Sequence, residues 1–211
     1  ERVGLKKEIT FKIGGQQGEG IDSTGEVLAV TLMQQGFEIA SYKHFSSRIK
    51  GGHTYYHIRA SHDKTHYWGD TTDILIALDQ ESYDHNISSM TPGGFVLMEG
   101  AEEKVEQKDG CTVIHVNFSK MAQDLGNKII RNMVALGSAV YLMGLHYEIF
   151  KPLVEKKFLR KGQALVDLNI NALKAGYEHI QKLDVKPFQV ARPEPKNHAL
   201  LAGNEAFAFG A

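Results

Sequence analysis

Ile9-Thr10-Phe11-Lys12-Ile13, followed at once by Gly14-Gly15-Gln16-Gln17-Gly18-Glu19-Gly20, decides how the chain is read. The first five residues alternate apolar and polar, the period-two signature of a strand. A glycine-rich turn takes over where the strand ends. Ser23 to Gln35 then carries Val27, Leu28, Val30, Thr31 and Leu32 in a helical cluster. Gly36 is a helix stop, and Phe37-Glu38-Ile39-Ala40-Ser41-Tyr42 reads as a second strand. Together these make a βαβ unit, whose two strands are expected to run parallel with a right-handed crossover.

Further along, Thr54 to Ala60 is aromatic-rich and strand-like, and Asp73 to Leu78 is the continuous apolar run of a strand buried on both faces. Asp79 to Ser89 reads as a short helix, with Asp79-Gln80-Glu81 as an acidic N-terminus. Thr91-Pro92-Gly93-Gly94 reads as a turn, Phe95–Glu99 and Thr112–Val116 as strands, and Phe118–Gly126, Ile129–His146 and Gln163–Gln181 as helices. The alternation predicts an α/β domain over residues 1–184, Rossmann-like in its three layers, with a mostly parallel sheet and helices on both faces. Three of the five prolines follow Asp184, so 185–202 is expected to be an extended linker. Residues 203–211 open like a helix capped by Asn204, either as a frayed tail or as the cut-off start of a further domain.

Composition narrows the function classes. The formal net charge of -1 gives no global field toward nucleic acid or an anionic membrane. No apolar run spans a bilayer, and Glu1 to Lys7 lacks a secretory apolar stretch, so the expectation is a cytoplasmic protein. Cys111 is alone, which leaves no intrachain disulfide, thiolate zinc site or four-cysteine iron–sulfur cluster in this chain. It opens an apolar strand and reads as a structural thiol. His53, His57, His62 and His66 lack partners at metal-ligand spacing, and no metal site is expected.

Two loops are candidate binding elements. Glycines admit positive φ and close ligand approach, and a helix N-terminus offers free N–H groups to an anion. The turn's gaps, Gly15-x-x-Gly18-x-Gly20, reverse the dinucleotide spacing, and no Lys-Ser/Thr follows as a Walker motif requires. Glu19 sets a negative charge where a phosphate would come, so phosphate binding and a purely structural turn both stand. The second loop, Lys43-His44-Phe45-Ser46-Ser47-Arg48-Ile49-Lys50-Gly51-Gly52-His53, is basic and hydroxyl-rich. It follows a strand at the carboxyl edge of the sheet, where open α/β sheets bind ligands, and is expected to share one cleft with the first. A solvated, mobile basic loop is the alternative.

Taken in order, Gly14 to Gly25, His44 to His53, Asp73 to Asp79 and Asn132-Met133-Val134-Ala135-Leu136-Gly137 resemble the gamma domain of 2-oxoacid:ferredoxin oxidoreductases. The resemblance runs from about Lys7 onward. Gly203-Asn204-Glu205-Ala206 resembles the start of the pyrimidine-binding domain that follows gamma in fused alpha subunits of the 2-oxoglutarate type. It implies an enzyme that oxidatively decarboxylates a 2-oxoacid to an acyl-CoA and passes electrons to ferredoxin. Thiamine diphosphate, magnesium and iron–sulfur clusters would belong to other domains or to the beta subunit, and the isolated chain would be inactive. A homodimer is compatible with it. By the same resemblance Gly15, Gln16, Gln17, Gly18, Glu19, Gly20, Lys43, Ser46, Ser47, Arg48, Lys50, Gly51 and Gly52 would contact coenzyme A or close the active site, with no catalytic residue among them. Many relatives have Gly at the position of Gln17 and Arg at that of Lys50, so backbone approach and the bidentate fork are lost at those two places. A non-catalytic module that meets the beta subunit is the competing reading.

Overall fold

A computed structural model describes residues 5–46, 52–195 and 200. Its strands are β1 (Glu8–Gln16), β2 (Glu38–His44), β3 (His53–Ser61), β4 (Thr72–Ala77), β5 (Met90–Glu99), β6 (Lys104–Lys108) and β7 (Cys111–Val116). The α-helices are α1 (Ile21–Gln34), α2 (Gln80–Asn86), α3 (Phe118–Asp124), α4 (Arg131–Leu142), α5 (Lys151–Phe158) and α6 (Gln163–Gln181). The strands form one sheet in the order β2-β3-β1-β4-β5-β7-β6. β3 and β6 run against the other five, so the α/β fold with a mostly parallel sheet holds.

The βαβ expectation is corrected in one respect. β1 and β2 run parallel, but β3 lies between them and pairs antiparallel with both. The physical reason is burial. Tyr56, Ile58 and Ala60 of β3 face α1 and the core, and Thr54 and His57 are buried as well, so β3 cannot serve as an edge. Tyr56 packs so tightly on α1 that a Cβ at Gly25 would stand 1.8 Å from its ring. The turn expected at Thr91–Gly94 is instead an irregular stretch inside β5: the register shifts after Thr72↔Met90. There Gly93, at φ 77°, donates its N–H to Gly110 at 2.8 Å.

Two elements were not expected. β6 pairs with β7 through a two-residue turn, Asp109-Gly110, with φ of 53° and 76°. Two positive φ values match the twist of a tight hairpin. α5 is the other, entered through Pro152 in its first turn, where a missing N–H costs nothing.

The layers are unequal. Ile9, Phe11 and Ile13 of β1, with Ile74 and Ile76 of β4, join α1, α3, α4, α5 and α6 in the main core. The opposite face carries α2 over a small cluster that includes Leu75, Val96, Val113 and Cys111. Cys111 is buried there, as a structural thiol would be. Helices α4 and α6 cross closely: a Cβ at Gly137 would lie 2.0 Å from the Leu173 carbonyl, and one at Gly176 would lie 1.9 Å from that of Val134. Among the described residues no helix is long and apolar enough to cross a membrane.

Candidate functional site

The glycine turn sits where β1 ends and α1 begins, at the carboxyl edge of the sheet. Its glycines have different reasons. A Cβ at Gly15 would press on Ile21 at 2.7 Å and on the Glu19 carboxylate at 2.9 Å, so Gly15 is demanded by packing. Gly18 has φ 94°, and among the described residues nothing lies within 4 Å of where a Cβ would be. Gly20, at φ 82°, is the N-cap of α1 and offers no side-chain cap to the first-turn N–H groups. Those donors remain for water or an anion.

Glu19, which on sequence alone would repel a phosphate, is already engaged. Its carboxylate accepts from the Gln16 N–H at 3.1 Å and pairs with Arg131 at 3.1 Å. The side-chain amide of Asn132 donates to the Glu19 carbonyl at 2.6 Å. The start of α4 therefore locks the turn and cancels its negative charge. Gly18, Glu19 and Gly20 form one wall of a cavity of about 550 Å³, and Lys128, Arg131 and Lys161 add positive charge to another. α4 too begins without a side-chain cap.

The second loop is placed in part. Lys43, next to last in β2, forms an ion pair with Asp22 of α1 and lies over the Tyr56 ring at 4.9 Å. Burial, the largest single effect, pulls its pKa down, but the bond to Asp22 and the charges of Tyr56, Asp22 and Glu26 together leave it raised. Lys43, one of the residues that the resemblance puts at coenzyme A, is thus held on α1. Ser46 and Gly52 line a different cavity of about 390 Å³, with Lys12 and His53. The two loops touch where the Gln17 N–H donates to the Gly52 carbonyl at 3.0 Å, but their described residues line separate cavities. Ser47, Arg48, Lys50 and Gly51 lie outside the described residues. Asp79 is the N-cap of α2, accepting from the Ser82 N–H at 2.7 Å, as the acidic-N-terminus reading has it.

Residues 10–179 match the model of the family described as pyruvate ferredoxin/flavodoxin oxidoreductase. The chain belongs to that family. Among relatives of this oxidoreductase family, it is 32% identical to a 2-oxoglutarate:ferredoxin oxidoreductase from Magnetococcus marinus, solved with 2-oxoglutarate, coenzyme A and succinyl-CoA bound. That match has a TM-score of 0.88 and covers 97% of this chain and 37% of that one. It is 21% identical to the alpha subunit of 2-oxoacid:ferredoxin oxidoreductase 2 from Aeropyrum pernix, over 96% of this chain and 39% of that protein. A keto/oxoacid ferredoxin oxidoreductase gamma subunit from Geobacter sulfurreducens shares the fold, with a TM-score of 0.68 at 23% identity, over 82% of this chain and 99% of that subunit. The chain thus spans well under half the length of the first two.

Arg131, Lys128 and Lys161 had no signal in the sequence of this oxidoreductase-family chain, since single cations on helices are usually solvated surface. Asn132 stood out only as part of the resemblance around Asn132–Gly137. Lys12 also escaped notice as a site residue, because it is one polar residue on an alternating strand, whereas His53 was read as the last residue of the second loop.

Proposed function

We propose that the chain is the gamma-type domain, residues 1–184, of a cytoplasmic 2-oxoacid:ferredoxin oxidoreductase acting on 2-oxoglutarate. Residues 185–202 link it to a pyrimidine-binding domain that starts at 203–211. Its part in the reaction is to hold coenzyme A and to cover the active site. The uncapped N-terminus of α1 carries this reading: open Gly18 beside free first-turn N–H groups suits a phosphate of the coenzyme. Arg131 neutralises Glu19, while Lys128 and Lys161 supply positive charge across the cavity. By the family resemblance the basic loop, with Lys50, adds further contacts to the coenzyme. Thiamine diphosphate with magnesium and the iron–sulfur clusters, bound by other domains or the beta subunit, supply the decarboxylation and the route for electrons to ferredoxin. This chain's own residues bind, orient and exclude water.

Calorimetric titration of the intact protein with coenzyme A tests the reading. Saturable binding that weakens in Gly18→Ala supports it. Binding indifferent to that change removes the turn from the coenzyme site.

A second reading, an assembly module, has its own observation. Trp68 stacks on Tyr42 at 4.7 Å, and both are exposed, as is Tyr67 next in sequence. Large exposed aromatics in a group suit a protein contact.

A further inference from the structure

Residues 185–195 hold no helix, as Pro187, Pro193 and Pro195 dictate, yet they lie against the domain instead of hanging free. The Tyr141 hydroxyl donates to the Val185 carbonyl at 3.3 Å, and the Phe188 N–H donates to the Leu142 carbonyl at 2.8 Å. The Lys6 N–H donates to the Gln189 carbonyl at 2.8 Å and the Ala191 N–H to the Lys6 carbonyl at 2.9 Å, a short parallel bridge. His62 Nε2 lies 2.8 Å from the Ala191 carbonyl, which makes that nitrogen the donor. Val190 is buried in the main core, and the Phe188 ring meets Phe95 edge-on at 5.0 Å. The Lys6 ammonium pairs with Asp73 of β4 and lies over the Phe188 ring at 4.5 Å. At two places no side chain fits under the segment. A Cβ at Gly144 would stand 2.2 Å from the Phe188 carbonyl oxygen, and one at Gly36 would stand 2.2 Å from that of Glu194.

These anchors share one side of the molecule. β1, β4 and β5 begin there, and β3, α1 and α4 end there. The segment therefore crosses the amino edge of the sheet from the end of α4 to the end of α1, on the far side from the glycine turn. Its prolines reduce the entropy lost when it docks. Its hold is nevertheless local: a few backbone hydrogen bonds, one half-buried ring and one buried valine contribute far less than the core beneath. A segment held in this way can open while the sheet stays folded.

We propose that residues 185–195 are a clamp, closed here, that ties the ends of α4, β1, β3 and α1 together and fixes where the chain leaves the domain. The hinge of a longer polypeptide then lies after Pro195, beside Gly36, and not after Asp184. Only that use of the clamp rests on the reading of 203–211 as the start of a further domain.

Hydrogen exchange of the intact protein, resolved to single residues by mass spectrometry with electron-transfer fragmentation, tests the clamp itself. The Lys6, Phe188 and Ala191 amides are expected to exchange well below free-chain rates. Phe188→Ala takes the ring away from Lys6 and Phe95. It should speed exchange at Lys6 and Ala191 together, roughly tenfold or more, while amides at the centre of β1 keep their rates. Phe188→Leu, which keeps apolar bulk, should do so less. Free-chain rates at Phe188 and Ala191 in the unaltered protein would overturn the proposal. So would unchanged rates in Phe188→Ala, or a change at Ala191 without one at Lys6. Equal acceleration at the centre of β1 would make the segment part of the global fold and overturn it too. None of these outcomes depends on a further domain or on coenzyme A.

Discussion

Asn132 donates its side-chain amide to the backbone carbonyl of Glu19 at 2.6 Å, joining the start of α4 to a turn 113 positions earlier in the chain. The neighbouring Arg131–Glu19 ion pair joins the same two segments. The shape of the glycine turn is therefore set from across the core as much as by its own glycines. Asn132→Ala leaves that carbonyl without its partner, at a cost of about 1–2 kcal/mol. The expected outcome is a lower denaturant midpoint at an unchanged slope, together with weaker coenzyme A binding. A change in stability without any change in binding would separate the turn from the ligand.

The α4–α6 crossing has no room for a side chain at its glycines. Gly137→Ala and Gly176→Ala each push a methyl into a backbone carbonyl, so the helices must separate. Each is expected to cost about 3 kcal/mol or more, at or above the upper end of ordinary overpacking. Gly126, with open space around it, is a poor control because φ is 99° there. Ala139→Gly, which removes a methyl from α4 without a clash, serves better and should cost about 1 kcal/mol from helix propensity plus the loss of a buried methyl. Thermal unfolding of the variants checks the order.

Local pattern explains which parts of the fold could be read in advance. β1, α1 and α6 each have a single strong period and a stop signal, so their existence was legible. Which strand lies beside which was not: β3 enters between β1 and β2 because of what its side chains bury, and periodicity carries no information about pairing partners. β6 was legible in principle through Asp109-Gly110, but its residues, Lys104-Val105-Glu106-Gln107-Lys108, lie on an exposed edge and lack a strong apolar alternation. At the site, the turn and its glycines were visible, yet the Arg131 and Asn132 that hold it come from a distant segment. Long-range partners of single charges leave no local trace.

His57 gives the protein an acid-sensitive element. Burial, and then the charge of Lys12, hold its pKa at about 4, against an ordinary 6.5. Its Nε2 is buried without a hydrogen-bond partner among the described residues. The unfolded chain takes up this proton first as pH falls, so the stability involved is present above about pH 6.5 and is lost progressively toward pH 4. At about 1.4 kcal/mol per pKa unit the loss is on the order of 3 kcal/mol. Denaturation at a series of pH values should show a shallower decline between pH 6.5 and 4 for His57→Gln than for the unaltered protein. Parallel declines would mean that His57 is not the group responsible.

The central claim, that the glycine turn holds coenzyme A, is tested most directly by Gly18→Ala in the assembled enzyme. With no atom of the described residues within 4 Å of the new methyl, the substitution adds no clash among them, and its strain comes from φ 94°, roughly 1 kcal/mol. Steady-state kinetics with coenzyme A and the 2-oxoacid varied in turn should show KM for coenzyme A rising about tenfold, as a loss near 1.4 kcal/mol implies, with KM for the 2-oxoacid nearly unchanged. An equal rise for both substrates, or none for coenzyme A, would contradict the account.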